Sequence, residues 1–179
     1  DGRYGTALLM EEADAEGQTC TGGAADVYKC LDQVLRPIIY MMLCIGGMPR
    51  RILDPYRRFQ ENFVIRNAVA GGLGEPYSKP TSIPQGCPFS MMIVAFTMKP
   101  LILAMRELGI VPRVLADDIL PIARGTARVS EANFVAACKF THVYLADVVS
   151  RLAAGKSVVL STDSSTRATL REHVWSTVG

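Results

Sequence analysis

The sequence predicts an α+β domain in which an antiparallel sheet packs against helices. Apolar residues recur at helical spacing in several long segments, and shorter β-branched runs lie between them. Two of these runs flank the pair Asp117–Asp118 and predict a hairpin with acids at its tip. The predicted order of elements is helix, helix, strand, loop, helix, hairpin, helix and strand, which is typical of an α+β chain.

The helices are predicted from apolar spacing and from the residues that begin or break a helix. The first begins at Asp32, which we expect to be its N-cap, and Gly46–Gly47 breaks it. The second begins at Pro49, a favourable residue in a first turn. Lys99 and Pro100 within the third argue against a membrane span. The predicted helices cover 32–43, 49–62, 87–108 and 131–153.

The other segments are predicted to be strands or irregular chain. Residues 63–69 alternate as a strand does, and 156–161 form a short strand beyond the hairpin at 111–122. Prolines make 75–88 irregular, and 1–20 are expected to be a frayed remnant of an upstream element. After residue 161 the pattern fades into a polar tail. The sequence begins at Asp1 rather than at a Met and stops abruptly at Gly179, so we expect it to be a piece of a longer protein.

Composition excludes several classes of protein. Of the 179 residues 49% are hydrophobic and 20% charged, so the chain is neither disordered nor of low complexity. The net charge of +2 excludes a strongly basic DNA-coating protein, and any nucleic-acid footprint must therefore be local. The five cysteines include no CxxC pair, and the two histidines are not grouped with them in the sequence. No zinc site is therefore expected. With no signal peptide visible, the prediction is an intracellular protein, with nucleus and cytoplasm left open.

The adjacent acids Asp117 and Asp118 admit two interpretations. Like charges side by side repel, and Asp is a poor strand residue. An ordinary surface turn accommodates such acids, because Asp suits turns. The alternative is a site for a divalent cation such as Mg²⁺, which takes one or two carboxylates together with substrate phosphates.

Two further segments contain residues suited to a site. Asp26 precedes Cys30, Leu31 and Asp32, and on its own it is weak evidence for a site, because most Asp residues before a helix are N-caps. The corner Ile83-Pro-Gln-Gly86 is followed at once by a predicted helix. Gly86 lets the backbone approach a ligand closely, and Gln85 offers both a donor and an acceptor.

These three segments, in this order, resemble motifs A, B and C of the reverse transcriptase palm. They read Asp26-Val-Tyr-Lys-Cys-Leu-Asp, Ser82-Ile-Pro-Gln-Gly-Cys-Pro-Phe-Ser and Leu115-Ala-Asp-Asp. The resemblance covers about residues 24–162 and is closest to non-long-terminal-repeat retrotransposon and group II intron enzymes. It implies a polymerase palm with the catalytic hairpin at the centre of its sheet.

The resemblance also implies a division of the chain. Residues 1–23 would be a remnant of upstream fingers or a linker. The palm would cover 24–162, with part of the fingers at about 63–82. Residues 163–179 would lead toward a thumb, so the remaining fingers and thumb of a parent polyprotein are expected partners. An inactive isolated fragment is an open alternative.

The implied activity is RNA-directed DNA polymerisation, in which dNTPs are added to the 3′-hydroxyl of a DNA or RNA primer on an RNA template. No membrane partner is expected. Asp26, Asp117 and Asp118 match the carboxylates that hold two Mg²⁺ ions, with Mn²⁺ as a substitute. Leu31, Gln85 and Gly86 match residues that contact the nucleotide or the template. Lys156 matches the motif D lysine near the leaving pyrophosphate, a candidate general acid, although a solvated surface lysine is the plainer interpretation.

The sequence departs from the family pattern at two contact positions. Leu115 replaces the usual Tyr before Ala-Asp-Asp, and Leu31 replaces the aromatic residue that excludes a 2′-hydroxyl. Leu31 leaves the choice between dNTPs and NTPs open. Two alternatives follow: a degenerate palm that binds nucleic acid or protein without polymerising, and an RNA-templated RNA polymerase, against which the Pro-Gln-Gly and Ala-Asp-Asp forms argue.

A basic cluster lies between motifs A and B. Five arginines stand against Asp54 and Glu61 between positions 50 and 66, with Tyr56 and Phe59 interleaved. Such a cluster fits contacts to a template backbone, because phosphate contacts dominate non-specific binding. The alternative is an ordinary solvated helix face. The arginines are Arg50, Arg51, Arg57, Arg58 and Arg66.

Overall fold

The computed structural model describes residues 2–84 and 86–175. Within them the helices are α1 (Gly2–Ala15), α2 (Cys30–Gln33), α3 (Arg36–Ile45), α4 (Arg50–Glu61), α5 (Ser90–Glu107), α6 (Ala127–Asp147) and α7 (Ser164–Glu172). The strands are β1 (Thr19–Asp26), β2 (Ala68–Val69), β3 (Gly72–Leu73), β4 (Ile110–Leu115), β5 (Asp118–Gly125) and β6 (Val158–Ser161). A short 3-10 turn covers Ala154–Lys156.

The main sheet has four strands in the order β4-β5-β1-β6, and every neighbouring pair is antiparallel. β1 is therefore an inner strand that pairs with β5 on one side and β6 on the other. Strands β2 and β3 form a separate small hairpin. The antiparallel sheet with packed helices confirms the predicted α+β class.

The chain divides into two compact units. The first comprises residues 1–28 and 98–179 and contains the four-stranded sheet. The second comprises residues 29–97 and contains α2, α3, α4 and the β2–β3 hairpin. The division falls within α5. The palm, fingers and tail boundaries expected from the resemblance stay a prediction.

Side chains of β1 alternate between two helical partners in the first unit. Thr21 is fully buried, and its hydroxyl lies 2.9 Å from the Ser130 hydroxyl of α6. Its neighbour Cys20 points to the other face, where it packs with Ala13 of α1 and Ile122 of β5. This alternation is the period of two that a strand imposes. The sheet is therefore covered by α6 on one face and by α1 on the other.

A glycine brings β1 close to its neighbours. A Cβ atom at Gly23 would lie 2.7 Å from the Val158 carbonyl oxygen and 3.1 Å from Cζ of Phe134. The first distance is shorter than van der Waals contact, so any side chain there requires a backbone shift. The glycine, a poor strand residue in general, therefore lets β6 and the Phe134 ring close on β1.

The second unit has its own apolar core, and one buried cation lies within it. The guanidinium of Arg36, which is only 3% exposed, donates to the backbone carbonyl oxygens of Ser82 and Gln60. It thus connects the start of α3 with the 80–84 loop and the end of α4. The core residues include Val34, Ile39, Tyr40, Leu43, Leu53, Tyr56, Ile83 and Ile93.

The predicted helix over 32–43 and the Asp32 cap are wrong in detail. Asp32 lies within α2, and α3 begins after Leu35, whose side chain forms no capping bond. Residues 34 and 35 are extended because the loop beyond α4 pairs with them. Ser82 N–H donates to the Val34 carbonyl, and Leu35 forms a bridge with Thr81.

Three other segments differ from expectation. The strand predicted at 63–69 is reduced to β2, whose hairpin turn has positive φ at Ala70 and Gly71. The polar segment 1–20 forms α1 and the start of β1. The polar tail contains α7, whose N-cap Asp163 accepts a bond from Thr166 N–H at 2.7 Å. Asp163 is a local N-cap signal, but the prediction relied on apolar spacing, which is weak in this segment.

Several predicted elements are confirmed. These are α4, α5, the β4–β5 hairpin and β6, each within a few residues of the predicted bounds, while α6 begins and ends earlier than predicted. Among the helices of the described residues, none has the length and apolar character needed to cross a bilayer.

The two outer strands of the sheet differ in how their edges are protected. β4 carries Pro112 and Arg113, both of which discourage pairing with another strand. β6 carries neither a proline nor a charge. Its residues Val158, Val159 and Leu160 are 60%, 45% and 41% exposed.

Candidate active site

The β4–β5 hairpin presents two carboxylates at its tip. Leu115 pairs with Asp118 across the turn, so Ala116 and Asp117 form a two-residue connection. Ala116 has a φ of 55°, in the left-handed region that glycine prefers. Both Asp117 and Asp118 are exposed. The turn geometry, and not only the turn preference of Asp, therefore places the acids here.

Asp26 lies directly opposite Asp118. The two are register partners at the end of β1 and the start of β5. Val27 N–H donates to the Asp117 carbonyl at 2.9 Å, which makes Asp26–Asp118 a non-hydrogen-bonded pair of the ladder. In such pairs the side chains share a face and the Cβ atoms are about 4.5–5.5 Å apart. Two negative charges so placed repel each other, and a nearby positive charge would stabilise the pair.

Lys156 supplies a positive charge beside this pair. Its Nζ lies 2.9 Å from Oδ2 of Asp26, and the Lys156 side chain is 76% exposed while that of Asp26 is only 15% exposed. The backbone before it is tied to the end of β1. Tyr28 N–H donates to the Arg151 carbonyl and Ala153 N–H to the Asp26 carbonyl, each at 2.8 Å. The 3-10 turn then carries Lys156 to the carboxylate.

The surrounding acids raise the pKa of Lys156 above its usual value of 10.5. The hydrogen bond to Asp26 is the main cause, followed by the charge of the same carboxylate and smaller effects of Asp117 and Asp118. The ammonium is therefore protonated at neutral pH. It can neutralise charge at the hairpin or donate a proton to an anion that approaches it.

The donor set has the chemistry of a hard-cation site, since Mg²⁺ prefers carboxylate oxygens. Its side chains do not, however, converge as a finished site. Among the residues that the structure describes, no group of three or more His, Cys, Asp or Glu side chains is arranged to hold a metal ion. One oxygen of Asp26 is engaged by Lys156. Asp26, Asp117 and Asp118 are the residues that would hold a cation if their carboxylates turned toward one another.

The motif B residues lie in the second unit. Gly86 is exposed with a φ of +87°, a conformation that side chains rarely adopt. Leu31 is half-buried and packs against the core, and its carbonyl accepts a bond from Ile83 N–H at 2.7 Å. Leu31 and the start of the Pro-Gln-Gly corner are thus adjacent. Gln85, predicted to contact substrate, lies outside the described residues.

The arginines predicted to contact nucleic acid lie on α4. Arg50, Arg51, Arg57 and Arg58 are all exposed, and the Arg57 guanidinium lies over the Tyr40 ring, 5.6 Å from its centre. The ion pairs of the described residues are made by Arg124 and Lys156, so none involves α4. The helix therefore presents positive charge that no described carboxylate neutralises at close range.

An aromatic groove beside these arginines was not predicted. It has a volume of about 660 Å³ and runs between one side of α4 and the loop that leads into α5. One pattern in the sequence could have revealed the groove. Apolar residues recur there at intervals of three and four residues, and the last of them lies beyond the end of α4: Ile52, Pro55, Phe59 and Phe63. The main residues of the groove are Arg51, Tyr56, Phe59, Phe63, Pro88 and Phe89.

The palm-like fold of this chain is shared with parts of solved telomerase structures. No family model and no curated protein matches the sequence. Among solved structures, telomerase from Candida tropicalis in complex with the TWJ fragment of telomeric RNA matches with a TM-score of 0.67 and 10% identity, over 89% of this chain and 29% of that chain.

Two other telomerase structures match similarly. The apo enzyme from Candida tropicalis, truncated from its C-terminal domain, gives a TM-score of 0.65 at 10% identity, over 88% of this chain and 34% of that chain. Candida albicans telomerase with the TWJ fragment gives 0.62 at 12% identity, over 90% and 30%. The chain thus spans about a third of their length. At these identities the likeness shows the fold alone.

Proposed function

We propose that this chain is the palm portion of an RNA-directed DNA polymerase of retroelement origin, of the non-long-terminal-repeat or group II intron type. The observation that carries the proposal is the pairing of Asp26 with Asp118 across β1 and β5, with Asp117 beside them and Lys156 bound to Asp26. Two of the three segments of the resemblance thereby meet at one end of one sheet. Such a cluster of acids suits the transfer of phosphoryl groups rather than acyl groups.

In this proposal the three carboxylates hold two Mg²⁺ ions, which would help the primer hydroxyl ionise and would stabilise the leaving pyrophosphate. Asp26 lies at the end of an inner strand with its side chain only 15% exposed, and the hairpin presents the exposed Asp117 and Asp118. We assign Lys156, whose Nζ lies 2.9 Å from Oδ2 of Asp26, as the proton donor to the pyrophosphate oxygen. The carboxylates that raise its pKa keep the ammonium protonated but make it a weaker acid, so it would have to leave Asp26 before the transfer. The rate enhancement arises mainly from positioning and from charge stabilisation.

The polymer that we propose as template is RNA. Two of the matching telomerase structures were solved with a fragment of telomeric RNA, which supports an RNA-binding role for a chain of this fold. The exposed arginines of α4 supply the positive charge that a phosphate backbone requires. Leu31 leaves open whether the substrates are dNTPs or NTPs, because a leucine lacks the planar ring that excludes a 2′-hydroxyl. Comparing the incorporation of dNTPs with that of NTPs tests this.

A second candidate is a palm that binds nucleic acid without polymerising. One observation favours it: the carboxylates of the described residues do not form a three-member metal group, and Lys156 occupies an oxygen of Asp26. In that case the ion pair would be a permanent structural link between β1 and the 3-10 turn rather than part of a catalytic site.

Primer extension on an RNA template separates the two candidates. Asp118→Asn keeps the side-chain shape and removes one charge, so we expect extension to fall by about 10²-fold or more. The matched control is Asp147→Asn, at an exposed position on α6, which we expect to extend as the wild type does. Equal extension by wild type and Asp118→Asn would overturn the catalytic assignment.

Thermal unfolding with increasing Mg²⁺ gives a readout that requires no polymerisation. Binding to the folded state raises Tm as the ion concentration passes Kd. We expect this rise in wild type and Asp147→Asn and its loss in Asp118→Asn. If wild type shows neither extension nor a Mg²⁺-dependent rise that Asp118→Asn removes, the binding-only function replaces the polymerase.

A further inference from the structure

The groove beside α4 has a buried aromatic floor and an exposed aromatic wall. Tyr56, only 7% exposed, lies edge-on to Phe89 with the ring centres 5.5 Å apart. Phe59 is 53% exposed, and its ring centre lies 5.4 Å from that of Phe63. Phe59 and Phe63 thus line the groove as a tilted ring pair, of which Phe59 is exposed and available for stacking by a planar ligand.

The ligand must also be an anion. Arg51 and Arg58 are seven residues apart on α4, which places them two turns apart on the side of the helix next to Pro55 and Phe59. Both are exposed, and Arg51 is one of the residues that line the groove. Asp54 lies on the same helix but makes no ion pair with either arginine among the described residues. Arg51 on the lining and Arg58 one turn beyond Asp54 are thus exposed guanidinium groups that form no ion pair among the described residues.

We propose that this groove binds a single-stranded segment of the RNA template, with bases stacked on Phe59 and Phe63 and phosphates held by Arg51 and Arg58. The proposal rests on the proposed function for its choice of RNA as the polymer. Stacking platforms edged by cations are the usual means of holding single strands without sequence preference.

Two other occupants fit the groove less well. In a duplex the faces of the bases are covered by their neighbours, so only an unpaired strand can offer them to the rings. An apolar protein segment could cover Phe59, but it would leave the arginines without the anions that the charge of this surface favours. A protein partner is therefore an outcome of the test rather than the proposal.

The first test measures binding of a short, unstructured, fluorescein-labelled adenine oligoribonucleotide to the 179-residue chain by anisotropy. Phe59→Leu keeps an apolar side chain but removes the ring face, and we expect it to weaken binding by about 5- to 100-fold. Phe59→Trp keeps a ring and should bind close to the wild-type affinity. Phe140→Leu is the control, because Phe140 is 38% exposed and stacks on Tyr144 in the other unit.

The second test measures the salt dependence of the same binding. Arg51→Gln should reduce the magnitude of the slope of log K against log salt by about 0.7, as the loss of one phosphate contact to a single strand does. Arg128→Gln, an exposed arginine at the start of α6, should leave the slope unchanged. A matched duplex of the same length should bind more weakly than the single strand and should not respond to Phe59→Leu.

The outcomes separate this proposal from the polymerase assignment. Asp118→Asn should bind the oligonucleotide as wild type does, so loss of polymerisation leaves the groove assignment intact. Conversely, if Phe59→Leu and wild type bind equally, the groove proposal is overturned whatever the polymerase assay shows. Binding that survives Phe59→Leu but follows Arg51→Gln would overturn base stacking in the groove and assign Arg51 to backbone contact alone.

Discussion

A single ion pair connects the end of β1 to the segment before β6. Lys156 reaches Asp26 from a turn that is 130 residues away in the chain, and their close approach depends on the antiparallel pairing of β1 with β6. Three carboxylates and one ammonium leave this end of the sheet negatively charged. The lysine therefore offsets part of the repulsion between Asp26 and Asp118 while it remains protonated.

We expect Lys156→Gln to lower kcat for nucleotide addition by about 10²-fold, because it removes a proton donor and leaves the carboxylates in place. The affinity for primer and template should be unchanged. Single-turnover extension separates the two quantities, and Lys156→Arg, which keeps the charge but holds its proton too tightly, should recover little of the rate. Rates equal to wild type in Lys156→Gln would remove the lysine from the chemistry.

The pH dependence of stability gives an independent check on the same ion pair. Because the folded-state pKa of Lys156 is raised above 10.5, the contribution of the pair is fully present below that pH and is lost as the pH rises through the higher folded-state value. The stability difference between wild type and Lys156→Gln should thus be constant from neutral pH to about pH 10 and should shrink above it. Chemical denaturation at several pH values measures this difference.

At this scale the sequence predicts residue types better than contacts. Asp117 and Asp118 are predicted from a local pattern of adjacent acids between two β-branched runs, whereas Asp26 is predicted only from the resemblance to motif A, and the catalytic role of all three stays a prediction. The Asp32 cap was wrong because Val34 and Leu35 are held extended by Thr81 and Ser82, a distant segment that local patterns do not reveal.

Among the elements, β1 owes its position to a residue that weakens strands in general. Gly23 has room for no side chain, because the Val158 carbonyl and the Phe134 ring approach its Cα from β6 and α6. In the sequence alone, Gly22 and Gly23 indicate only a low strand propensity. The close packing that requires the glycine becomes visible once the neighbours of the strand are known.

We expect Gly23→Ala to lower the free energy of unfolding by about 1–3 kcal/mol, the usual cost of overpacking. The added methyl group would lie 2.7 Å from a backbone oxygen, so β1 and β6 must separate. Gly155→Ala is the matched control, since its Cβ would meet nothing within 4 Å, and it should be neutral or slightly stabilising. Urea denaturation compares the two; similar midpoints would show that the sheet accommodates the methyl group freely.

Elements bounded by local signals were predicted well. Helix α4 lies between Pro49 and Asn62 as expected, since proline and the amphipathic pattern are both local. The strand expected at 63–69 was not found at that length, because strand length depends on a partner, and β2 pairs only with the two residues of β3. The α+β class needed only the order of the elements, which is why it was predictable.

For the molecule as a whole, average charge conceals local charge. A net charge of +2 predicts weak attraction to nucleic acid, yet α4 alone carries four exposed arginines. The division into two units assigns the carboxylates and Lys156 to one and the arginines and aromatic groove to the other. This allocation could not be read from the sequence, since the first unit is assembled from two separate stretches of chain.

The exposed strand β6 affects how the isolated chain behaves in solution. Arg167 donates to the Ser161 carbonyl at one end with a bond of 2.8 Å, but over Val158–Leu160 no side chain of the described residues is seen to cover the edge in this way. An edge of this kind accepts a strand from a second molecule. We expect the chain to self-associate as its concentration rises.

Val159→Lys should suppress this association, because a charged side chain on an edge strand discourages pairing. Light scattering after size exclusion, over a range of concentrations, measures it, and Val129→Lys on the exposed side of α6 is the control. Equal association in wild type and Val159→Lys would place the contact elsewhere. How long a preparation stays monodisperse is then decided by the exposed edge at Val158–Leu160 and not by the thermodynamic stability of the fold.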